Sequence, residues 1–136
     1  MTNIAELKEK AKVGWASFIS FEALTSTAAP KLVQFSGTRQ GMRLLDVACG
    51  TGVVALTASR LGAEAQGIDL TPELISRAIE NAKIMGLKAK FVEGDAEFLP
   101  YKENEFDDYK TKEEEVSKVV RCIINFFKDE PDLIII

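Results

Sequence analysis

The sequence predicts an α/β fold: a Rossmann-like parallel sheet in the strand order 3-2-1-4, with helices on both faces. Three observations predict it. Apolar stretches of strand length alternate with stretches of helical periodicity from residue 42 onward. A glycine-rich stretch, Cys49-Gly50-Thr51-Gly52, stands where the first strand passes into a helix. The next two strand-like stretches each run into an acidic residue, Asp69 and Asp95. Such alternation gives a parallel sheet covered by helices and joined by right-handed crossovers.

The elements follow in order. Residues 1–40 read as N-terminal helices, with Ile4, Leu7, Ala11 and Phe18 on one face, a polar cluster at 25–27, and a second helix with Pro30 in its first turn. Trp15, Phe18 and Phe21 form an aromatic cluster that either packs on the sheet or covers a ligand pocket. Residues 41–136 form the Rossmann-like core of the same single domain. Residues 42–48 are a short apolar run and predict the first, buried strand. Residues 53–61 are helical, and Gly62 follows as a C-terminal cap. The segment AEAQGIDL predicts a second strand closing at Asp69. Thr71 and Pro72 then read as an N-cap and first helical residue, with Glu73 spaced to pair with Arg77. Leu74, Ala78, Ala82 and Met85 make the apolar stripe of this helix, which Gly86 ends before a third strand in KAKFVEGDA. Residues 100–112 read as a solvated loop. Val116, Val119, Val120, Ile123 and Phe127 recur at helical spacing, and DLIII at 132–136 supplies a fourth strand.

Composition narrows the functions. A chain of 136 residues with 46% hydrophobic and 28% charged residues suits one globular domain. Acidic residues outnumber basic ones, 21 to 17, and the lysines lie among glutamates, so no nucleic acid partner is expected. The opening MTNIAELKEKAK lacks a signal-type apolar core and no apolar run is long enough to span a membrane, so a cytoplasmic location and no membrane partner are expected. Cys49 and Cys122 stand in unrelated contexts, which supports neither a disulfide nor a metal site. With no histidine in the chain, His-based triads, bases and metal ligands are excluded.

The loop from Asp46 to Gly52 lies where open α/β folds place ligands, at the carboxyl end of the sheet. Gly50, Gly52 and Ala55 satisfy G-x-G-x-x-G/A, a spacing shared by NAD and other adenosine cofactors. Charge separates them. A carboxylate at Asp46 opposes the pyrophosphate of NAD but favours the ammonium and sulfonium of S-adenosylmethionine. Asp46 is then the partner of the methionine ammonium, while Ala48, Cys49, Gly50, Thr51 and Gly52 offer backbone. Asp69 accepts the ribose hydroxyls, and Leu70 packs on adenine. Asp95 accepts from the adenine amino group, the amide of Ala96 serves a ring nitrogen, and Glu97 completes the set. Taken singly, Asp69 or Asp95 also fits a carboxylate that caps a helix or closes a turn.

Together LLDVACGTG, the acidic GIDL, and GDAEFLP with its following EFD resemble the class I S-adenosylmethionine-dependent methyltransferases, in particular the small-molecule group that includes ubiquinone and menaquinone biosynthesis enzymes. The resemblance covers about Phe21 to Asp107. It implies a methyltransferase acting on a small-molecule acceptor by in-line displacement, with proximity supplying most of the rate and no dedicated catalytic residue. In that family EFD leads directly into an apolar fourth strand and three more follow. Here DYKTKEEE follows Phe106 and Asp107, so the fold is expected to be C-terminally shortened. A terminal apolar edge strand then invites a homodimer or a partner chain. The competing readings are a cofactor-binding module that works through a partner, and an NAD-dependent oxidoreductase.

Overall fold

The structure is a computed structural model and describes residues 3–102 and 105–107. Helix α1, Ile4–Ala16, starts at Asn3, whose side chain accepts the Ala5 N–H at 3.2 Å. None of its residues is buried. A 3-10 turn, Ser17–Phe21, leads into α2, Glu22–Phe35. Pro30 therefore lies inside α2 and not in its first turn as the sequence suggested. The polar cluster at 25–27 is also helical. The hydroxyls of Thr25, Ser26 and Thr27 donate to the carbonyls of Glu22, Ala23 and Leu24, so residues that read as a break are absorbed by bonding back to the preceding turn.

The core alternates as expected through β1, Arg43–Val47; α3, Val53–Arg60; β2, Glu64–Asp69; α4, Pro72–Met85; and β3, Lys90–Glu93. The three strands are parallel in the order β1-β2-β3, with Asp46 opposite Gly67 and Asp69 opposite Glu93. This is an α/β, Rossmann-like sheet, three strands of the predicted 3-2-1-4. The fourth strand at 132–136, its crossover helix at 113–127 and the terminal edge lie outside the described residues. Gly86 ends α4 in the left-handed conformation, φ 65°, as its position after the apolar stripe predicted.

Three local expectations are corrected. Thr71 is the N-cap of α4 by position, but its side chain makes no capping bond. Arg77 pairs with Glu22 and Glu80, not with Glu73. Met85 is 41% exposed, and Ile75 and Asn81 join Leu74, Ala78 and Ala82 on the buried face.

Small residues let helices and sheet approach closely. Ala55, Ala58 and Ala78 are fully buried, and Phe91 of β3 fills the space that two glycines leave. A Cβ on Gly52 or Gly67 would meet the Phe91 ring at 2.6 and 2.7 Å. At the start of β1, Asp107 N–H donates to the Arg43 carbonyl at 3.0 Å. Its carboxylate accepts from the Arg43 amide and guanidinium, each at 2.7 Å. The EFD segment thus pins the outer side of β1.

Candidate functional site

A cavity of about 490 Å³ opens at the carboxyl ends of the strands. Asp46, Asp69 and Asp95 all line it. So do Ala48, Cys49, Gly50, Thr51, Leu70 and Ala96. Gly52 and Glu97, the other two residues picked from the sequence, do not. Gly52 is the N-cap of α3 at φ 82°, packed under Phe91, and Glu97 faces Lys8.

The loop after β1 is held in an unusual conformation. Ala48 is left-handed at φ 58°, the one such non-glycine residue described, and Gly50 follows at φ 55°. A side chain in this region costs about 1–2 kcal/mol, and such strain concentrates where backbone must face a ligand. Cys49 donates its N–H to the Ile68 carbonyl at 3.0 Å, and a Cβ on Gly67 would come within 2.7 Å of its thiol. Burial, with the charges of Asp46 and Asp69, pushes that thiol far above the ordinary range, so Cys49 is a packing residue without nucleophilic character.

Each carboxylate is fixed differently. Asp46 Oδ2 accepts the N–H of Ala55 at 3.0 Å, in the first turn of α3. Gly52 has no side chain to cap that helix, and Asp46 does so from the neighbouring strand. Its other oxygen has no partner among the described residues. Burial, with a smaller push from Asp69, raises the Asp46 carboxyl from 3.8 to about 7, against the Ala55 bond. Asp69 accepts from Gly50 N at 2.8 Å and from Thr71 N at 2.9 Å. One oxygen is thus fastened to the glycine loop and the other to the start of α4. Asp95 accepts the N–H of Glu97 at 3.0 Å and is paired with Lys8 of α1, which holds it below the usual carboxylate range. The N–H of Ala96 has no partner among the described residues.

Two features were not assigned to the site from the sequence. Lys8 bridges Asp95 and Glu97 and stands 5.8 Å from the centre of the Phe98 ring, while Lys12 reaches Glu93 at 3.7 Å. A contact 87 residues away leaves no local pattern to read. The aromatic cluster of Trp15, Phe18 and Phe21 lines the cavity. Among the described residues no group of three or more His, Cys, Asp or Glu could hold a metal. None of the described helices is long and apolar enough to cross a membrane.

A parallel sheet with a glycine turn after its first strand and carboxylates at successive strand ends defines the class I methyltransferase form of the Rossmann-like fold. The chain belongs to the methyltransferase domain family, whose model matches residues 38–135. An uncharacterized protein of Mycobacterium tuberculosis is 45% identical over 86 residues, 63% of this chain and 31% of the relative. This chain therefore matches about a third of that relative's length. Among solved structures, the YcgJ protein from Bacillus subtilis is 29% identical with a TM-score of 0.55, over 60% of this chain and 35% of that one. An S-adenosylmethionine-dependent methyltransferase from Aquifex aeolicus is 25% identical with a TM-score of 0.52, over 58% and 44%. A tRNA (uracil-54, C5)-methyltransferase from Pyrococcus abyssi, bound to S-adenosylhomocysteine, shares the fold at 23% identity and a TM-score of 0.52, over 60% and 20%.

Proposed function

We propose that this chain binds S-adenosylmethionine in the cavity at the ends of β1, β2 and β3 and directs its methyl group to a small-molecule acceptor. The observation that carries the reading is the convergence of Asp46, Asp69 and Asp95 with the glycine loop on one cavity whose described lining contains no lysine or arginine. That wall suits a cationic nucleoside and repels a pyrophosphate, which sets S-adenosylmethionine above NAD.

In this reading the free oxygen of Asp46 takes the methionine ammonium. Asp69, held by two backbone amides, presents its remaining lone pairs to the ribose hydroxyls. Leu70 lies on adenine, Asp95 accepts from its amino group, and the free amide of Ala96 donates to a ring nitrogen. Glu97 acts through Lys8, and Gly52 through the packing that lets the loop approach. The cofactor supplies a methyl group already activated by the sulfonium. The chain orients it, and no residue acts as a dedicated base. The N-terminal helices close the cavity over the strand ends.

The finer placement beside the ubiquinone and menaquinone biosynthesis enzymes rests on the GDAEFLP and EFD segments. A cytoplasmic homodimer, or a pairing with another chain, belongs to the same proposal, and light scattering on a column eluate tests it. A second reading is a cofactor-binding module that works through a partner. Turnover by the purified chain, or its absence despite cofactor binding, separates the two.

Calorimetric titration with S-adenosylhomocysteine and with NAD tests the core of the reading. The first is expected to bind and the second not. Asp69→Ala should weaken S-adenosylhomocysteine by about 1.5–3 kcal/mol, the cost of losing charge-assisted hydrogen bonds. Unchanged affinity would remove the site assignment.

A further inference from the structure

We propose that the aromatic column of Trp15, Phe18 and Phe21 is the acceptor subsite and that it takes a planar ring compound that is uncharged or cationic. This rests on the methyltransferase reading and adds to it the chemical class of the acceptor. The three rings recur every third residue. On an α-helix, residues three apart step round the axis by about 60°, so three such side chains would fan out. A 3-10 turn has about three residues per turn and eclipses them. The segment Ser17–Phe21 is such a turn and aligns Phe18 with Phe21, while Trp15 stands in the last turn of α1 and meets Phe18 across the junction.

The ring centres lie 4.8 Å apart for Trp15 and Phe18, and 4.9 Å apart for Phe18 and Phe21, tilted by 52° and 32°. The column is continuous. It is also incompletely covered, with Trp15 and Phe18 half-buried and Phe21 41% exposed, so ring surface remains at a cavity that also reaches the glycine loop. A flat apolar ring stacked there would lie beside the place proposed for the cofactor.

Charge restricts the acceptor further. Glu22 lines the cavity next to the column, with its carboxylate held by Arg77 at 3.1 Å and Asn81 at 3.0 Å. Lys8 compensates Asp95 and Arg77 compensates Glu22, but Asp46 and Asp69 line the same cavity with no cationic partner among the described residues. An anionic acceptor, RNA above all, meets repulsion there, whereas a cationic ring gains from the aromatic faces. Transfer to a ring hydroxyl forms an oxygen–carbon bond and breaks the methyl–sulfur bond, whose electron pair stays on sulfur. The hydroxyl proton passes to water.

The test uses the whole chain saturated with S-adenosylhomocysteine, titrated by calorimetry with 2-naphthol, 2-naphthoate, cyclohexanol and oligouridylate. The expected result is saturable binding of 2-naphthol, at least about tenfold tighter than the other three. Trp15→Ala should weaken 2-naphthol about fivefold or more with a smaller change for S-adenosylhomocysteine, and Trp15→Phe should recover most of the loss. Trp15 is the sole tryptophan, so a shift of its emission on binding locates the ligand. Equal binding of 2-naphthoate, tighter binding of oligouridylate, or an unaffected Trp15→Ala overturns the inference. A chain that fails to bind S-adenosylhomocysteine defeats the underlying methyltransferase reading. One that binds it but takes no 2-naphthol defeats only the subsite.

Discussion

Asp46 answers two demands with one carboxyl group, and they pull its proton in opposite directions. The N–H of Ala55 favours the ionised form, but enclosure by protein outweighs it and lifts the group to about 7. Between roughly pH 4 and 7 the folded chain therefore keeps a proton that the unfolded chain has released. Stability of the cofactor-free protein should fall as pH rises through that window and level off above it. Cofactor binding reverses the preference, because an ammonium beside Asp46 requires the ionised form. Affinity for S-adenosylhomocysteine should then rise with pH up to about 7, by at most about tenfold per unit, and flatten above. Asp46→Asn keeps an acceptor for Ala55 but cannot titrate, so its affinity should be lower and independent of pH. Calorimetry from pH 5.5 to 8 decides the matter, and a flat profile in the unmodified chain would mean that Asp46 does not face the ammonium.

At the scale of elements, α1 and the turn before α3 are held by contrasting forces. No residue of α1 is buried, and Lys8 and Lys12 tie it to the acidic segment at 93–97. Exposed ion pairs are screened, and at about 1 M salt the screening length falls to about 3 Å. Amide exchange in residues 4–16 should accelerate there, while α4, which buries Leu74, Ile75, Ala78 and Ala82, should not respond. Lys8→Met should reproduce the acceleration at low salt; a salt-independent α1 would show that other contacts fix it. The turn before α3 is steric instead. Gly52→Ala puts a Cβ at 2.6 Å from Phe91 in a left-handed residue, and about 2–4 kcal/mol of stability should be lost in urea unfolding. Gly50→Ala is the control. Its Cβ would meet nothing within 4 Å, so only the conformational cost of about 1–2 kcal/mol remains.

Across the whole molecule, what the sequence disclosed follows the range of the interactions involved. Gly62, Gly86 and Pro72 punctuate helices through constraints that act within one turn, and each stands where its spacing implied. Pro30 misled because α2 already begins at Glu22, in a segment whose Thr and Ser residues read as a break but lie within the helix with their hydroxyls bonded to the preceding turn. The pairing of Lys8 with Asp95 and the capping of α3 by Asp46 join distant residues, so neither leaves a periodic trace. The aromatic triplet was visible, but its alignment depends on α1 passing into a 3-10 turn after Trp15, which spacing alone does not distinguish from a continuous α-helix. These long-range contacts bring the N-terminal segment and the strand ends to one cavity, and a ligand there should bind both parts into one cooperative unit. At about 100 times its dissociation constant, S-adenosylhomocysteine should add about 2.7 kcal/mol to unfolding. The gain should appear as slower amide exchange in α1 as well as in β1 and β2, with no change on adding NAD. Protection confined to the strands and α3, with α1 exchanging as before, would place the N-terminal helices outside the cofactor's enclosure and leave Trp15 without a role beside it.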